Sequence, residues 1–424
     1  MAPGNICTPN LARILCQSLG ENILIRLLTA LTSLDGDTCE RLKCLIRNDI
    51  RYFVSQGFDF GLAYAAARVA WKDFNSHSEA DVARHRHRWL ERVEHLDEVR
   101  SAATGRDNAG QEIIKSPYAV MPRRVWDLKS NRVVAYVMLH AEVQATHMVG
   151  NHTAASTVTA PPFWAISHSW TDDMEAVDTP INAYQWPVPC PRNISLDDIR
   201  RFLLDLGTEY VWLDVLCLRQ QSRSPSLEQL KQEEWKLDVP TIGNVYRAAE
   251  RLVRYFNGLG VAFSEHGWDS PRHWLRRAWT LQEIKTENTT FNGAVAHSNI
   301  LNTRGEVAGK ETTLRHAIRP VLRLAGEVDS LGGCSVYELA REMANRYATQ
   351  PTDKVAGLLY LLRTTQLPTY DGGITDEVAW RKCLPLLPPG VSLNYYSTFP
   401  IEDHTINGFQ GGGKCWSGQS VIQI

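Results

Sequence analysis

Between residues 161 and 296 short apolar runs alternate with amphipathic helical segments, and nothing else in the chain constrains the fold as strongly. A buried strand followed by a covering helix, repeated, is the pattern of a parallel sheet with helices packed on it. The first run, 163–168, reads Phe-Trp-Ala-Ile-Ser-His and ends in polar residues. Ser195 and Asp198 then stand at capping-box spacing ahead of Ile199, Phe202, Leu203 and Leu206, and Gly207 is placed to end that helix. The run 210–218 is apolar except for Asp214, as a strand buried on both faces would be. A helix opening at Pro240 turns Ile242, Val245, Tyr246 and Ala249 inward, and 252–256 forms the next strand. Asp269, Ser270 and Pro271 mark another helix start, with Trp274, Ala278 and Leu281 as its apolar stripe and Glu283 near its end. The class is α/β.

The flanks read differently. Residues 1–115 form a helical region, in which Asn10 caps a helix bearing Leu11, Ile14 and Leu15. Periodic stretches occupy 24–31 and 39–53. A charged helix at 80–100 buries Trp89, Leu90 and Val93, and 102–116 is a small, polar linker. Residues 116–160 hold a hairpin, with strands at 124–128 and 132–136 around Lys129-Ser-Asn131, then a threonine- and alanine-rich connection. After the 161–296 core comes a helical C-terminal extension, 297–404. In it Ser335 and Glu338 open one helix, to about residue 346, and 353–362 forms another. The tail, 405–424, is glycine-rich and polar and is expected to be disordered.

Composition excludes several function classes. The 424 residues carry 45 bases against 47 acids, a net charge of −2, which gives no electrostatic reason for a nucleic-acid or membrane partner. No run approaches the length of a membrane span, and the start lacks the basic and apolar regions of a secretory leader, so the chain is expected in the cytoplasm. The nine cysteines are odd in number and scattered, without a CxxC pair. That favours reduced thiols over a disulfide framework and offers no zinc-ligand spacing, so no metal is expected.

Chemistry has to be sought in individual polar residues, because no Walker loop, GxGxxG, GxSxG or HExxH occurs. Ligands of open parallel sheets bind beyond the carboxyl ends of the strands. That places Ser167, His168, Ser169, Asp172 and Asp173 in the candidate region, with Asp214 near the end of the second run. Ser167 and His168 are adjacent on a strand and point to opposite faces, which speaks against a nucleophile–base pair. A carboxylate inside an apolar run, as Asp214 is, is either a site residue or one satisfied by several donors. Of the eight tryptophans between 164 and 279, most fall on buried faces; Trp170 and Trp186 fall in loops and suit a ligand surface.

Three blocks carry a resemblance: Trp164-Ala-Ile-Ser-His-Ser-Trp170, Tyr210-Val-Trp-Leu-Asp-Val-Leu-Cys-Leu-Arg-Gln220 and Arg277-Ala-Trp-Thr-Leu-Gln-Glu283. Val245-Tyr-Arg-Ala248 lies between the last two. Pro122-Arg-Arg-Val-Trp-Asp-Leu128 precedes the set and Asp353-Lys-Val-Ala-Gly357 succeeds it. In order and spacing the chain resembles the fungal heterokaryon-incompatibility (HET) domain proteins. It departs from their pattern at His168, where an aromatic is common, at Thr171, where glycine is common, and at Arg219, in place of Asn or Asp.

The resemblance implies a role in non-self recognition and programmed cell death. It also implies a core similar to TIR domains, a flavodoxin-like parallel sheet with helices on both faces. Two readings stay open. In one, a self-associating effector consumes NAD as substrate, needing no cofactor. Glu283 is then the catalytic acid, stabilising an oxocarbenium ion, and Ser167, Trp170 and Asp172 line the nucleotide pocket with Asp214 and Trp279. In the other, the core is a non-catalytic module that works by self-assembly, with a separate sensor protein as a further partner. On that reading Glu283 pairs with Arg276 or Arg277 on a solvated helix face.

Overall fold

The computed structural model describes residues 5–71, 100–139, 141–143, 157–159, 161–222, 224–261, 267, 270–283, 292–296, 299–300, 306–307, 310–311 and 336–386. Its main sheet contains β1 (Arg124–Asp127), β2 (Arg132–Ala135), β3 (Trp164–His168), β4 (Tyr210–Leu213), β5 (Arg251–Tyr255), β6 (Asn292–Ala296) and β7 (Asn299–Ile300). Their order is β7-β6-β5-β3-β4-β1-β2. The three runs expected to be neighbouring parallel strands are so, with β3 between β4 and β5. β6 extends the parallel set beside β5.

The sheet is mixed, however, and this corrects the expectation of a wholly parallel one. The hairpin β1–β2 joins antiparallel against β4, and β7 returns antiparallel on β6. The reason lies in β4, whose four residues are all buried. Left as an edge it would present unpaired amides along a buried surface, and the hairpin from upstream covers them.

The strand register decides which side chains can meet. Ser167 pairs with Arg254, and His168 with Tyr255. Because successive strand residues alternate faces, Ala165, Ser167, Trp212, Leu252 and Arg254 share one face. Ile166, His168, Leu213, Val253 and Tyr255 share the other.

Nine helices of seven or more residues surround the sheet among the described residues. The N-terminal layer has α1 (Glu21–Thr32), α2 (Lys43–Ser55) and α3 (Phe60–Ala70), and α3 docks on the hairpin through Arg68, 2.6 Å from Asp127 Oδ1. Gly61 lets α3 approach closely, since a Cβ there would meet Ser130 O at 2.8 Å. Next come α4 (Leu196–Asp205), α5 (Pro225–Asp238) and α6 (Ile242–Ala248). Ser195 accepts from the Asp198 amide to start α4, and Gly207 stands just past its end at φ 95°. The chain continues with α7 (Val336–Ala344), α8 (Pro351–Leu361) and α9 (Asp376–Cys383). One apolar core runs from the N-terminal helices through the sheet, and a second joins Ala278 and Leu281 to α7, α8 and α9. No described helix is long and apolar enough to cross a membrane.

Several local expectations change. Thr8, not Asn10, caps the first turn, Pro9–Ala12, with proline in the position that needs no amide donor. The stretch 39–53 breaks at Leu42 into Gly36–Arg41 and α2. The expected linker 102–116 contains strands Thr104–Arg106 and Glu112–Ile114, which Leu367–Pro368 extends, because Ile113 and Ile114 bury fully. The charge-rich helix α5 has no apolar stripe to announce it. The expected helix from Pro271 to Glu283 is instead two 3-10 turns, Trp274–Arg276 and Trp279–Leu281. Arg277 between them is extended and bridges Tyr347: the Ala278 amide donates to Tyr347 O at 2.8 Å, which no continuous helix allows. The helix expected at 80–100, save Arg100, and the tail 405–424 lie outside the described residues, as do 144–156 of the connection.

Candidate functional site

At the carboxyl ends of β3, β4 and β5 stand two short chains of polar contacts, one on each face of the sheet. The first starts at Trp274, whose Nε1–H donates to Ser167 Oγ at 2.6 Å. The Ser167 hydroxyl, having accepted there, donates onward to Glu283 Oε2. Glu283 reaches this position from the second 3-10 turn, and it is 6% exposed while Ser167 is fully buried. Tyr246 of α6 packs edge-on against Trp212, 5.2 Å between centroids, and donates to Ile166 O at 3.2 Å. Burial pushes the Glu283 carboxyl up to about 7, against the Ser167 hydrogen bond, and the Asp214 charge adds to the rise.

The second chain joins His168, Asp214 and Trp170. Asp214 comes directly after the last residue of β4 and opens the turn Asp214–Cys217, so it stands at the strand end rather than inside the strand. Three donors meet its carboxylate: His168 Nε2 at 2.7 Å, the Val215 amide at 2.7 Å and Trp170 Nε1 at 3.1 Å. His168 Nδ1 faces Ser169 O at 3.1 Å. With an acceptor at each ring nitrogen the imidazole carries both hydrogens, and the pair is an ion pair. Burial opposes charge on His168, but the Asp214 carboxylate outweighs it and the imidazole pKa is raised. Burial likewise opposes charge on Asp214, and there His168 and the other donors win, so its pKa is lowered. The Trp170 ring stacks on His168, 6.4 Å between centroids at 12°.

Two carboxyls near the same strand ends, bonded to side chains on opposite faces of the sheet, thus have opposite proton affinities, one held ionised and one exchanging its proton near neutrality. That divergence is the usual mark of an acid–base pair.

Most of these groups fall within one recognisable stretch of the chain. Residues 163–261 match the family model described as Heterokaryon incompatibility protein (HET). The HET segment supplies Ser167, His168, Trp170, Asp214, Tyr246 and Arg254, while Trp274 and Glu283 reach its strand ends from beyond the matched residues. No curated protein and no solved structure matches the chain.

Of the residues singled out from sequence, the structure brings together Ser167, Trp170, Asp214 and Glu283. It does not bring in Asp172 or Trp279. Asp172 is exposed and pairs with Arg272 at 2.7 Å. Trp279 turns toward Tyr370 of the C-terminal layer, 6.4 Å between centroids. Trp186, expected in a loop and suited to a ligand surface, is 2% exposed, with its N–H on Val215 O at 3.2 Å. Sequence reasoning passes over Tyr246, Arg254 and Trp274. For Arg254 a signal exists, a charge inside an apolar strand, the same anomaly that marks Asp214.

Proposed function

We propose that this chain is a cytoplasmic HET-domain effector of fungal non-self recognition and cell death, which hydrolyses NAD at the HET strand ends through a TIR-like site. What supports the reading is the pair of carboxyls with divergent proton affinities, Glu283 near 7 and Asp214 held ionised. Cleavage of the nicotinamide–ribose bond leaves the electron pair on nicotinamide, which departs neutral, and positive charge develops on the ribose. Ionised Glu283 stabilises that charge and accepts a proton from the water that adds to the ribose carbon; the proton is then released. The products are nicotinamide, ADP-ribose and that proton. Ser167 orients Glu283, and Trp170 stacked on His168 offers a ring face at the mouth of the site. The test is nicotinamide release from NAD by the purified chain, which should rise with pH through about 7 as Glu283 ionises. Glu283→Gln, folded by circular dichroism, should lower the rate by about 100-fold or more. Undiminished release by that variant would sink the assignment.

A second reading, a non-catalytic module acting by self-assembly, draws on a different observation. Ser167 and Glu283 are buried, and the cavities of about 1150 and 870 Å³ bounded by described residues are lined by other side chains. Host-cell killing with NAD levels unchanged, together with self-association in light scattering, would favour it.

A further inference from the structure

Arg254 occupies the centre of the sheet, on β5, directly beside Ser167 in the ladder and on the same face. It is 2% exposed, and its Nε and Nη2 are buried without a hydrogen-bond partner. Its guanidinium lies over the Trp274 ring, 5.8 Å from the centroid. Trp274 in turn holds Ser167, and Ser167 holds Glu283. A guanidinium cannot shed its charge as a carboxyl can, so a buried one with open N–H groups calls for an anion nearby.

The charged and titratable groups around Glu283 narrow the choice. β3 contributes His168 and the end of β4 Asp214, but these two neutralise each other at 2.7 Å. α6 contributes Tyr246, a neutral phenol whose hydroxyl donates to Ile166 O. Arg277 and Arg346 act on Glu283 from farther off; the Arg346 guanidinium is taken by Glu342 at 3.0 Å and by Arg277 O and Thr280 Oγ1, both at 2.9 Å. Arg277 has Thr349 Oγ1 at 3.5 Å, and among the described residues Arg254 and Glu283 are left as neighbouring opposite charges with no ion pair of their own.

We propose that Arg254 is the buried counter-ion of Glu283, a positioning residue whose open N–H groups receive the carboxylate each time Glu283 gives up its proton. Protonated, Glu283 is held by Ser167; ionised, it turns to Arg254. The guanidinium thereby sets the pH at which the carboxyl works without touching substrate. The consequence for catalysis rests on the NAD-hydrolysis reading, whereas the protonation itself does not.

The experiment therefore tracks the proton directly. The Glu283 side-chain carbon is observed by carbon NMR in uniformly glutamate-labelled full-length chain, assigned by its loss in Glu283→Gln, and titrated with pH. Replacing Arg254 by Met should raise the midpoint by one pH unit or more, about a tenfold change in proton affinity. Arg254→Lys, which restores a charge, should return it most of the way. Should Arg254→Met not fold at pH 8, the double variant with Glu283→Gln should fold there, since neither member of the pair is then charged. An unshifted midpoint in Arg254→Met, or a double variant no better folded than the single one, overturns the proposal. If the midpoint moves as expected but wild-type chain releases no nicotinamide, the counter-ion role stands and only the hydrolase reading fails.

Discussion

Glu234 and Glu283 are both buried carboxyls, 6% exposed, in the neighbourhood of arginines, yet they have opposite proton chemistry. Glu234, on α5, meets Arg124 through two short bonds, 2.6 and 2.9 Å, and shares its charge with Arg219 at 3.4 Å. Both guanidinium groups sit over the Trp186 ring, at 5.3 and 4.9 Å. Burial disfavours the charged Glu234, but the Arg124 hydrogen bonds and the surrounding guanidinium charges reverse that and hold its pKa low. Glu283 has an arginine nearby but not bonded to it, and burial prevails. Direct contact separates the two. A carboxylate clamped bidentately gives a fixed structural charge, and one left a step away from its cation gives a proton that can move.

Removing the clamp tests the structural half of the contrast and should produce the largest effect. Glu234→Ala leaves the Arg124 and Arg219 guanidinium groups over Trp186 with no carboxylate between them. Breaking a buried ion pair from one side costs about 3–5 kcal/mol, measured by urea denaturation at pH 7. A loss below about 1 kcal/mol would place Glu234 with the surface pairs and dissolve the contrast.

Glu283→Gln tests the other half, and its sign is opposite. A carboxyl whose folded pKa lies above its unfolded value binds its proton more tightly when folded, so the wild type loses stability as pH rises from 4.5 toward 7. The span corresponds to about 3 kcal/mol at most. Glutamine carries no such penalty, so the variant should be more stable than wild type at pH 8 and lose that advantage near pH 5. The His168–Asp214 pair adds its own window. The raised pKa of His168 contributes stability that is full below its unfolded pKa of 6.5 and fades as pH climbs through the folded one. The lowered pKa of Asp214 contributes stability that fades as pH falls below 3.8. Wild-type stability should therefore peak in mildly acid solution.

How much of the fold and the site is legible in the sequence depends on whether a residue's role is local. β3, β4 and β5 announce themselves because a strand buried on both faces must be apolar, and α4 because its cap and its stop are written beside it. The hairpin is legible as a hairpin, but its place beside β4 is not, since edge coverage is a tertiary demand. The 271–283 segment has helical spacing, and only its bridge to Tyr347, far along the chain, prevents a helix. Glu283 stands out in the sequence on the strength of a helix it does not occupy. Asp214 stands out as a charge in an apolar run. Arg254 carries the same mark and goes unread, because the partner proposed for it lies in the irregular segment between β5 and β6 and no spacing rule connects them.

Ser167→Ala acts between the two halves. It deletes the hydroxyl that joins Trp274 to Glu283, leaving a buried indole N–H without an acceptor, at a cost of about 1–3 kcal/mol. The bond that is lost favours the ionised Glu283, so the carboxyl should titrate at higher pH than in wild type. A variant whose thermal midpoint drops while the Glu283 titration stays in place would show that Ser167 serves the fold without setting the proton affinity of Glu283.

Asp172→Ala should do the least. Asp172 and Arg272 form an ion pair at 2.7 Å, a separation like that of Arg124 and Glu234, but the side chains are 79% and 42% exposed. Water solvates both charges whether or not they meet, salt screens them, and two side chains lose freedom in meeting. The net contribution of such a pair is about 0.5 kcal/mol or less, so the urea midpoint of Asp172→Ala should stay within error of wild type at about 0.5 M salt. Nicotinamide release separates stability from function here. If Asp172 reaches the nucleotide, as the HET resemblance implies, the KM for NAD rises with kcat little changed, the pattern of lost uniform binding. If KM also stays put, Asp172 is a solvated rim charge, and the nucleotide contacts belong to Trp170 and the strand ends. Geometry alike, burial different: a matching bond length at the surface and in the core would then differ by about 3 kcal/mol or more in what its loss costs.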